Sequence, residues 1–304
     1  MTHVESEIAS QPECWERAAT LSSSPGLPRP GERVAVVGCG TSWFMGQAYA
    51  SLREQSGQGE TDAFQASEFP HRRRYDRVVA ITRSGTTTEV LDLLGACTSP
   101  TTVLTADPAQ PAVSLAGDAV VLDFADEQSV VQTRFATSVL ALLRATLGED
   151  IAPVACDAEV AVRLPLPVRT DTTQITFLGR GWTVGLANEA ALKCREAAML
   201  WTESYPAMDY RHGPISIAAP GRVVWAFGDV PPHLTDDVEA TGAAFVHARH
   251  HGGYGAIGRW CGGRSPLDPM ADLIVAQRMA IALAAAQGLD PDHPRNLTRS
   301  VVLA

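Results

Sequence analysis

Glu189, Lys193 and Glu196 stand four and three residues apart in an alanine-rich stretch, a spacing that puts all three on one face of a helix. Two carboxylates flanking one ammonium form either a solvated salt-bridge stripe or an acid/base site, and the spacing alone leaves both open. The residues that follow favour chemistry. Glu203, Tyr205 and Asp209 lead within one connection to the compact turn Arg211-His212-Gly213-Pro214. A carboxylate and an imidazole brought together can move protons near neutral pH.

A second set of residues is rich in hydroxyls. The apolar run 33–37 reads as a buried strand and enters Gly38-Cys39-Gly40-Thr41-Ser42 directly, ahead of a helix over about 43–53. Small residues at a strand-to-helix turn let several backbone N–H groups converge on an anion. The run lacks the GK[ST] ending of a Walker A loop and does not complete GxGxxG. A second strand, 76–81, is followed by Thr82-Arg83-Ser84-Gly85-Thr86-Thr87-Thr88-Glu89 and a helix through Leu94. One of these hydroxyls is expected to cap the helix. Two such turns at strand C-termini of one parallel sheet would converge on one ligand, which reads as a phosphate or sugar-phosphate site.

The elements that must carry these residues repeat. A first helix is expected over 14–21, then a Ser/Pro/Gly-rich connection over 22–31. Further strands read at 102–105 and 119–122, and 127–134 precedes a long helix to Leu147, giving a βαβ sheet. The proline-bearing stretch 148–167 carries the expected boundary between an N-terminal domain, 1–155, and a C-terminal domain, 156–304. The second half repeats the pattern. Its expected strands are 174–178, 222–227 and 244–248. Its helices start near Thr183 or Asn188, then cover 235–242 and 270–286. A Gly-rich loop is expected over 251–269. The tail 290–300 is too polar and proline-punctuated for regular structure, yet if ordered it could reach a neighbouring site.

Composition excludes several classes. With 45% apolar and 19% charged residues the chain reads as a soluble globular protein, and a net charge of -10 argues against a nucleic-acid partner. Cys14, Cys39, Cys97, Cys156, Cys194 and Cys261 form no CxxC pair and read as thiols of a reducing compartment. His247, His250 and His251 fit no metal spacing and read as a surface cluster. The start of the chain has no basic region followed by an apolar core, and no apolar run looks long enough for a bilayer, so neither secretion nor a membrane is expected. The expected location is cytoplasmic.

CGTS at 39–42, TRSGTT at 82–87, SVVQT at 129–133, EAALKCRE at 189–196, ESYPAMDYRHGP at 203–214 and PRNLTRSV at 294–301 together resemble tandem sugar isomerase (SIS) domains. The nearest likeness is to the isomerase half of glucosamine-6-phosphate synthase and to stand-alone amino-sugar-phosphate deaminases and ketose/aldose isomerases. The first three runs are weak singly; the last three, in this order, are specific. The resemblance covers about 32–302. It implies an α/β fold of two SIS domains, each a three-layer α-β-α sandwich around a mainly parallel five-stranded sheet.

The resemblance also implies roles. Ser42, Thr82, Ser84 and Thr87 would hold the substrate phosphate, with Arg83 where the synthases have Gln, either gripping the phosphate or folded outward. Gly40, Thr41, Val130, Gln132 and Arg299 would contact the rest of the substrate. Glu196 falls on the base that moves a proton between C1 and C2. Lys193 would polarise or relay protons at the sugar hydroxyls, and Glu189 would hold Lys193 or the substrate. His212 falls on the ring-opening histidine, lent by the partner subunit of a homodimer. Such enediol chemistry needs neither metal nor nicotinamide, and no cofactor is expected. No Cys follows Met1, so no glutaminase is expected. Arg299 stands where the synthases carry an imine-forming lysine, and a guanidinium cannot serve as that nucleophile. The leading expectation is therefore a hexosamine 6-phosphate deaminase/isomerase. The alternatives are an aldose–ketose isomerase on a non-amino sugar phosphate, a sugar-amine deglycase, or a sugar-phosphate-sensing module. No helix-turn-helix precedes Arg33, and the acid/base set is retained, which weighs against the sensor.

Overall fold

Every residue of Val34–Gly38, Arg77–Ile81 and Thr101–Thr105 is buried, as a parallel sheet covered on both faces requires. A computed structural model describes residues 2–247 and 267–303. The first half runs α1 (His3–Ala9), α2 (Gln11–Ala19), β1 (Val34–Gly38), α3 (Thr41–Gln55), β2 (Thr61–Gln65), β3 (Arg77–Ile81), α4 (Thr88–Ala96), β4 (Thr101–Thr105), α5 (Pro111–Leu115), β5 (Asp118–Val121) and α6 (Arg134–Thr146). The second runs α7 (Ala152–Ala161), β6 (Gln174–Gly179), α8 (Thr183–Ala198), β7 (Trp201–Pro206), β8 (Arg222–Ala226), α9 (Leu234–Ala240), β9 (Ala244–His247) and α10 (Pro269–Ala286).

The first sheet is wholly parallel with order β2-β1-β3-β4-β5. The order reverses between β1 and β3, so a crevice opens beyond their C-terminal ends, between the two hydroxyl-rich turns. The second sheet is parallel with order β7-β6-β8-β9, four strands among the described residues where the resemblance implied five.

Strand alternation builds three layers in each half. Val34, Val36, Val79 and Ile81 face one core, while Ala35, Val37, Val78 and Ala80 face another that Val90, Leu93 and Leu94 of α4 close. In the second half Leu178, Val224 and Ala226 pack with Leu234 and Val238 of α9. Ile175, Phe177 and Trp225 join the first core, which is continuous between the two sheets and holds residues of α2, α3, α6, α7, α8 and α10. Within it α8 packs on α3 and α10. A Cβ on Gly185 would lie 2.4 Å from the Phe44 carbonyl oxygen and 2.9 Å from Ala48 N, so only glycine allows this approach of α8 to α3.

Several elements differ from the sequence reading. The start of the chain forms two helices, because Pro12 enters at the first turn of α2 and Asp292 receives the free His3 and Val4 N–H groups of α1, both at 2.8 Å. β2 and β7 lie at sheet edges with mostly half-buried or exposed residues and carry no apolar run to betray them. The connector 148–167 contains α7. The 18-residue α10 is long and apolar enough to cross a membrane, contrary to expectation, but its Met270–Ala276 run is wholly buried in the shared core. Cys156 is disulfide-bonded, which overturns the reading of all six cysteines as thiols; spacing along a chain does not say which sulfurs meet. Cys14, Cys39, Cys97 and Cys194 are free. His247 is buried, with Nε2 2.6 Å from the Gly228 carbonyl oxygen, so it is no surface residue; His250 and His251 lie outside the described residues.

Candidate functional site

A cavity of about 210 Å³ occupies the crevice. Gly40, Thr41, Ser42, Thr82, Arg83, Ser84 and Thr87 line it from the two turns, Val130 and Gln132 from the segment before α6, Glu196 from α8 and Arg299 from the tail. Of the residues singled out in the sequence, Lys193 and Glu189 stand behind this wall and His212 stands apart from it.

The turns are shaped by local chemistry. Gly40 takes φ 53° as the residue before α3, a conformation that favours glycine, and the Ser42 N–H donates back to the Cys39 carbonyl at 3.2 Å. Thr82 Oγ1 accepts from Gly85 N at 3.2 Å and Ser84 Oγ from Thr86 N at 3.3 Å, so side chains fold this turn as they do in Ser/Thr turns. Thr87 holds the N-cap position of α4 but makes no capping bond, contrary to the expected role for one of these hydroxyls.

Arg83, 4% exposed, is turned to protein rather than left free. Its Nη1 donates to the Ser129 carbonyl at 3.1 Å and lies 3.4 Å from Glu127 Oε2; Nη2 donates to the carbonyls of Arg299 at 3.2 Å and Val130 at 3.4 Å. Its Nε is buried without a partner. The guanidinium thus ties the tail to the segment carrying Val130 and Gln132. Glu127, 1% exposed, holds that segment from within, Oε1 accepting from Thr133 N, Thr133 Oγ1 and Arg134 N.

On α8 the charged face is buried, which excludes the solvated stripe. Glu189 and Lys193 side chains are 1% exposed and Glu196 20%. Lys193 Nζ is hydrogen-bonded to Glu196 Oε2 and lies 3.5 Å from Glu189 Oε1. Burial, opposed by the Lys193 charge and aided by Glu196, pushes Glu189 up to about 8. Burial also acts to lower Lys193, but the charges of Glu189 and Glu196 outweigh it and the ammonium is held above its ordinary range. The face thus sets a Lys193 cation and a Glu189 whose burial favours its neutral form behind the Glu196 carboxyl group at the cavity. Such a set can take a proton from a carbon acid while the cation steadies the charge.

His212 closes the short helical turn Asp209–His212 after β7 and is exposed. Arg299 sends its guanidinium to the Glu127 carbonyl and the Asp126 carboxylate. Sequence reasoning passed over Thr86, Ser300 and Glu127. Ser300 lines the cavity, and its hydroxyl meets those of Ser84, Thr86 and Thr87. The signal for Ser300 lay in the polar tail run, where only Arg299 was singled out.

No family model matches the chain. A glutamine–fructose-6-phosphate aminotransferase (isomerizing) of Sulfolobus acidocaldarius is 28% identical over 305 residues, covering 89% of this chain and 50% of that protein. The chain spans about half the length of the curated relatives it matches over most of its own length, 50% and 55% for the first two. Among solved structures, a glucosamine-6-phosphate deaminase from Thermotoga maritima superposes with a TM-score of 0.77 at 22% identity, covering 99% of this chain and 100% of that one. A tagatose-6-phosphate ketose/aldose isomerase from Escherichia coli superposes with a TM-score of 0.78 at 19% identity, covering 97% and 98%. At these identities the structural likenesses concern the fold.

Proposed function

Since the homologues and structural neighbours of this chain are SIS-domain, or sugar isomerase, proteins, we propose that it is a phosphosugar enzyme that converts a hexosamine 6-phosphate to the ketose 6-phosphate and ammonia. One observation carries the reading: the Glu196 carboxyl group, backed by the buried Lys193 ammonium, shares a single cavity with the hydroxyl-rich turns of the first sheet. The turns would hold the phosphate through Ser42, Thr82, Ser84 and Thr87 and through backbone N–H groups. That leaves the C1–C2 end of an open-chain sugar toward α8.

In this mechanism His212 of a second copy opens the ring. Glu196 takes the proton from C2 of the open-chain aldehyde and the pair of electrons moves to form an enolamine. Return of a proton to C1 gives the imine at C2; water adds there, and ammonia leaves with the ketone formed. Lys193 stabilises the developing oxyanion at C1, and Glu189 holds Lys193 in place. Arg299 supports deamination over imine-forming synthesis, since its guanidinium is engaged by Asp126 and Glu127 and offers no neutral amine. A metal-independent aldose–ketose isomerase acting on a non-amino sugar phosphate is the second reading, supported by the equally close fold of the tagatose-6-phosphate isomerase.

Ammonia and ketose are to be measured together on glucosamine 6-phosphate, galactosamine 6-phosphate and the corresponding hexose phosphates. Equal release of both from an amino sugar is the expected result. Ketose without ammonia from a hexose phosphate would select the isomerase, and silence on every substrate would overturn the enzymatic reading.

A further inference from the structure

The Ser300 hydroxyl is the meeting point of three others. Ser84 Oγ donates to it at 3.1 Å and Thr86 Oγ1 at 3.0 Å, and Thr87 Oγ1 lies 3.4 Å away. A serine hydroxyl accepts two hydrogen bonds and donates one, so these contacts use its full capacity. The residues on either side bind the same turn. The Arg299 carbonyl accepts from Arg83 at 3.2 Å, the Val301 carbonyl accepts from Thr88 N at 3.2 Å, and Leu303 N donates to Thr88 Oγ1 at 2.9 Å. Thr88 N is a first-turn donor of α4, a group with no partner inside its own helix. The tail therefore meets the hydroxyls and an N–H that an anion in this turn would use.

The tail is held there by polar contacts. Val301, Val302 and Leu303 are 53%, 67% and 62% exposed, so little apolar burial fastens this end. The neutral hydroxyl contacts of Ser300 are weaker than the charge-assisted bonds the same donors make to an anion, and the Arg299–Asp126 ion pair beside them must open as well.

We propose that Ser300 sits in the turn after β3 as an uncharged stand-in for a phosphate oxygen, and that an incoming phosphate displaces the tail, 297–303. The proposal rests on the reading that this turn binds phosphate. Substrate entry and tail release are then one event. The tail competes with phosphate instead of waiting to close over it.

The test uses the full chain and inorganic phosphate, with binding measured by calorimetry and tail release by trypsin cleavage after Arg299. Ser300→Ala leaves the three hydroxyls without their internal partner and is expected to tighten phosphate binding about fivefold. Ser300→Asp puts a carboxylate at the same point and is expected to weaken it about tenfold. Phosphate is expected to speed cleavage of the wild-type tail. A tail that merely braces the fold would move both variants in the same direction, which overturns the proposal. So does slower cleavage with phosphate, the sign of a tail that closes over its ligand. Equal phosphate affinity in wild type and both variants also overturns the proposal but leaves the phosphate site standing. Absence of phosphate binding in all three chains removes both the competition and the phosphate reading.

Discussion

Glu189 and Glu196 are the same residue type on one helix face, about two turns apart, in different surroundings. Glu189 is sealed in the protein and holds its proton up to about pH 8, whereas Glu196 reaches the cavity. Glu196→Gln keeps the shape but removes the proton acceptor, so turnover is expected to fall by about 10²- to 10⁴-fold with phosphate affinity unchanged. A near-normal rate in steady-state assays would move the base elsewhere. Glu189 carries a stability consequence whose sign follows from its raised value. Between the ordinary carboxylate range and about pH 8 the folded chain binds a proton that the unfolded chain has lost, so this residue's contribution is full below that range and disappears as pH rises through about 8. Urea midpoints of wild type are therefore expected to fall from pH 5 to pH 8 more steeply than those of Glu189→Gln. Parallel midpoint curves would mean that Glu189 is ionised throughout.

The helix α8 is what joins the cavity to the core. Its small residues let it approach α3 closely, and Asn188 Nδ2 donates to Gln47 Oε1 at 2.8 Å across the same contact. Gly185→Ala puts a methyl group against the α3 backbone, which cannot yield as a side-chain end can, and is expected to cost about 3 kcal/mol. Because α8 carries Glu196, the variant should also lose turnover at temperatures where it remains folded; a full-rate, equally stable variant in melting and activity assays would contradict this packing. At this scale the sequence was informative where elements are buried. Strands such as Val34–Gly38 appear as unbroken apolar runs, and helix α8 shows its face through the spacing of Glu189, Lys193 and Glu196. The edge strands β2 and β7 were missed because their half-exposed residues need not be apolar.

Across the whole molecule, one core joins the two sheets, and the far ends of the chain meet near the cavity. Glu7 of α1 accepts from Gln128 N and Ser129 N, in the segment that lines the site, and Asp292 caps α1 in return. Only His212 stays outside this arrangement. If it serves the cavity of a second copy, an inactive Glu196→Gln chain mixed with a His212→Ala chain should recover activity on ring-closed substrate. Mixed dimers form half the population and carry one intact site of two, so recovery should approach about a quarter of the wild-type rate. No recovery after subunit exchange, verified by co-purification of two tags, would confine His212 to its own chain.

The sequence by itself determined the order of strands and helices in the buried layers, the two hydroxyl-rich turns and the charged face of α8, since each depends on residues close together in the chain. Tertiary structure decided what those residues face. Burial turned Glu189 into a proton-holding acid, which no spacing of charges reveals. Arg83 grips Glu127, Ser129, Val130 and Arg299, partners up to 216 residues away, and Ser300 meets the turn after β3 across a similar gap. Such contacts are set by how the sheets and their shared core bring distant segments together, and a local pattern holds no record of them.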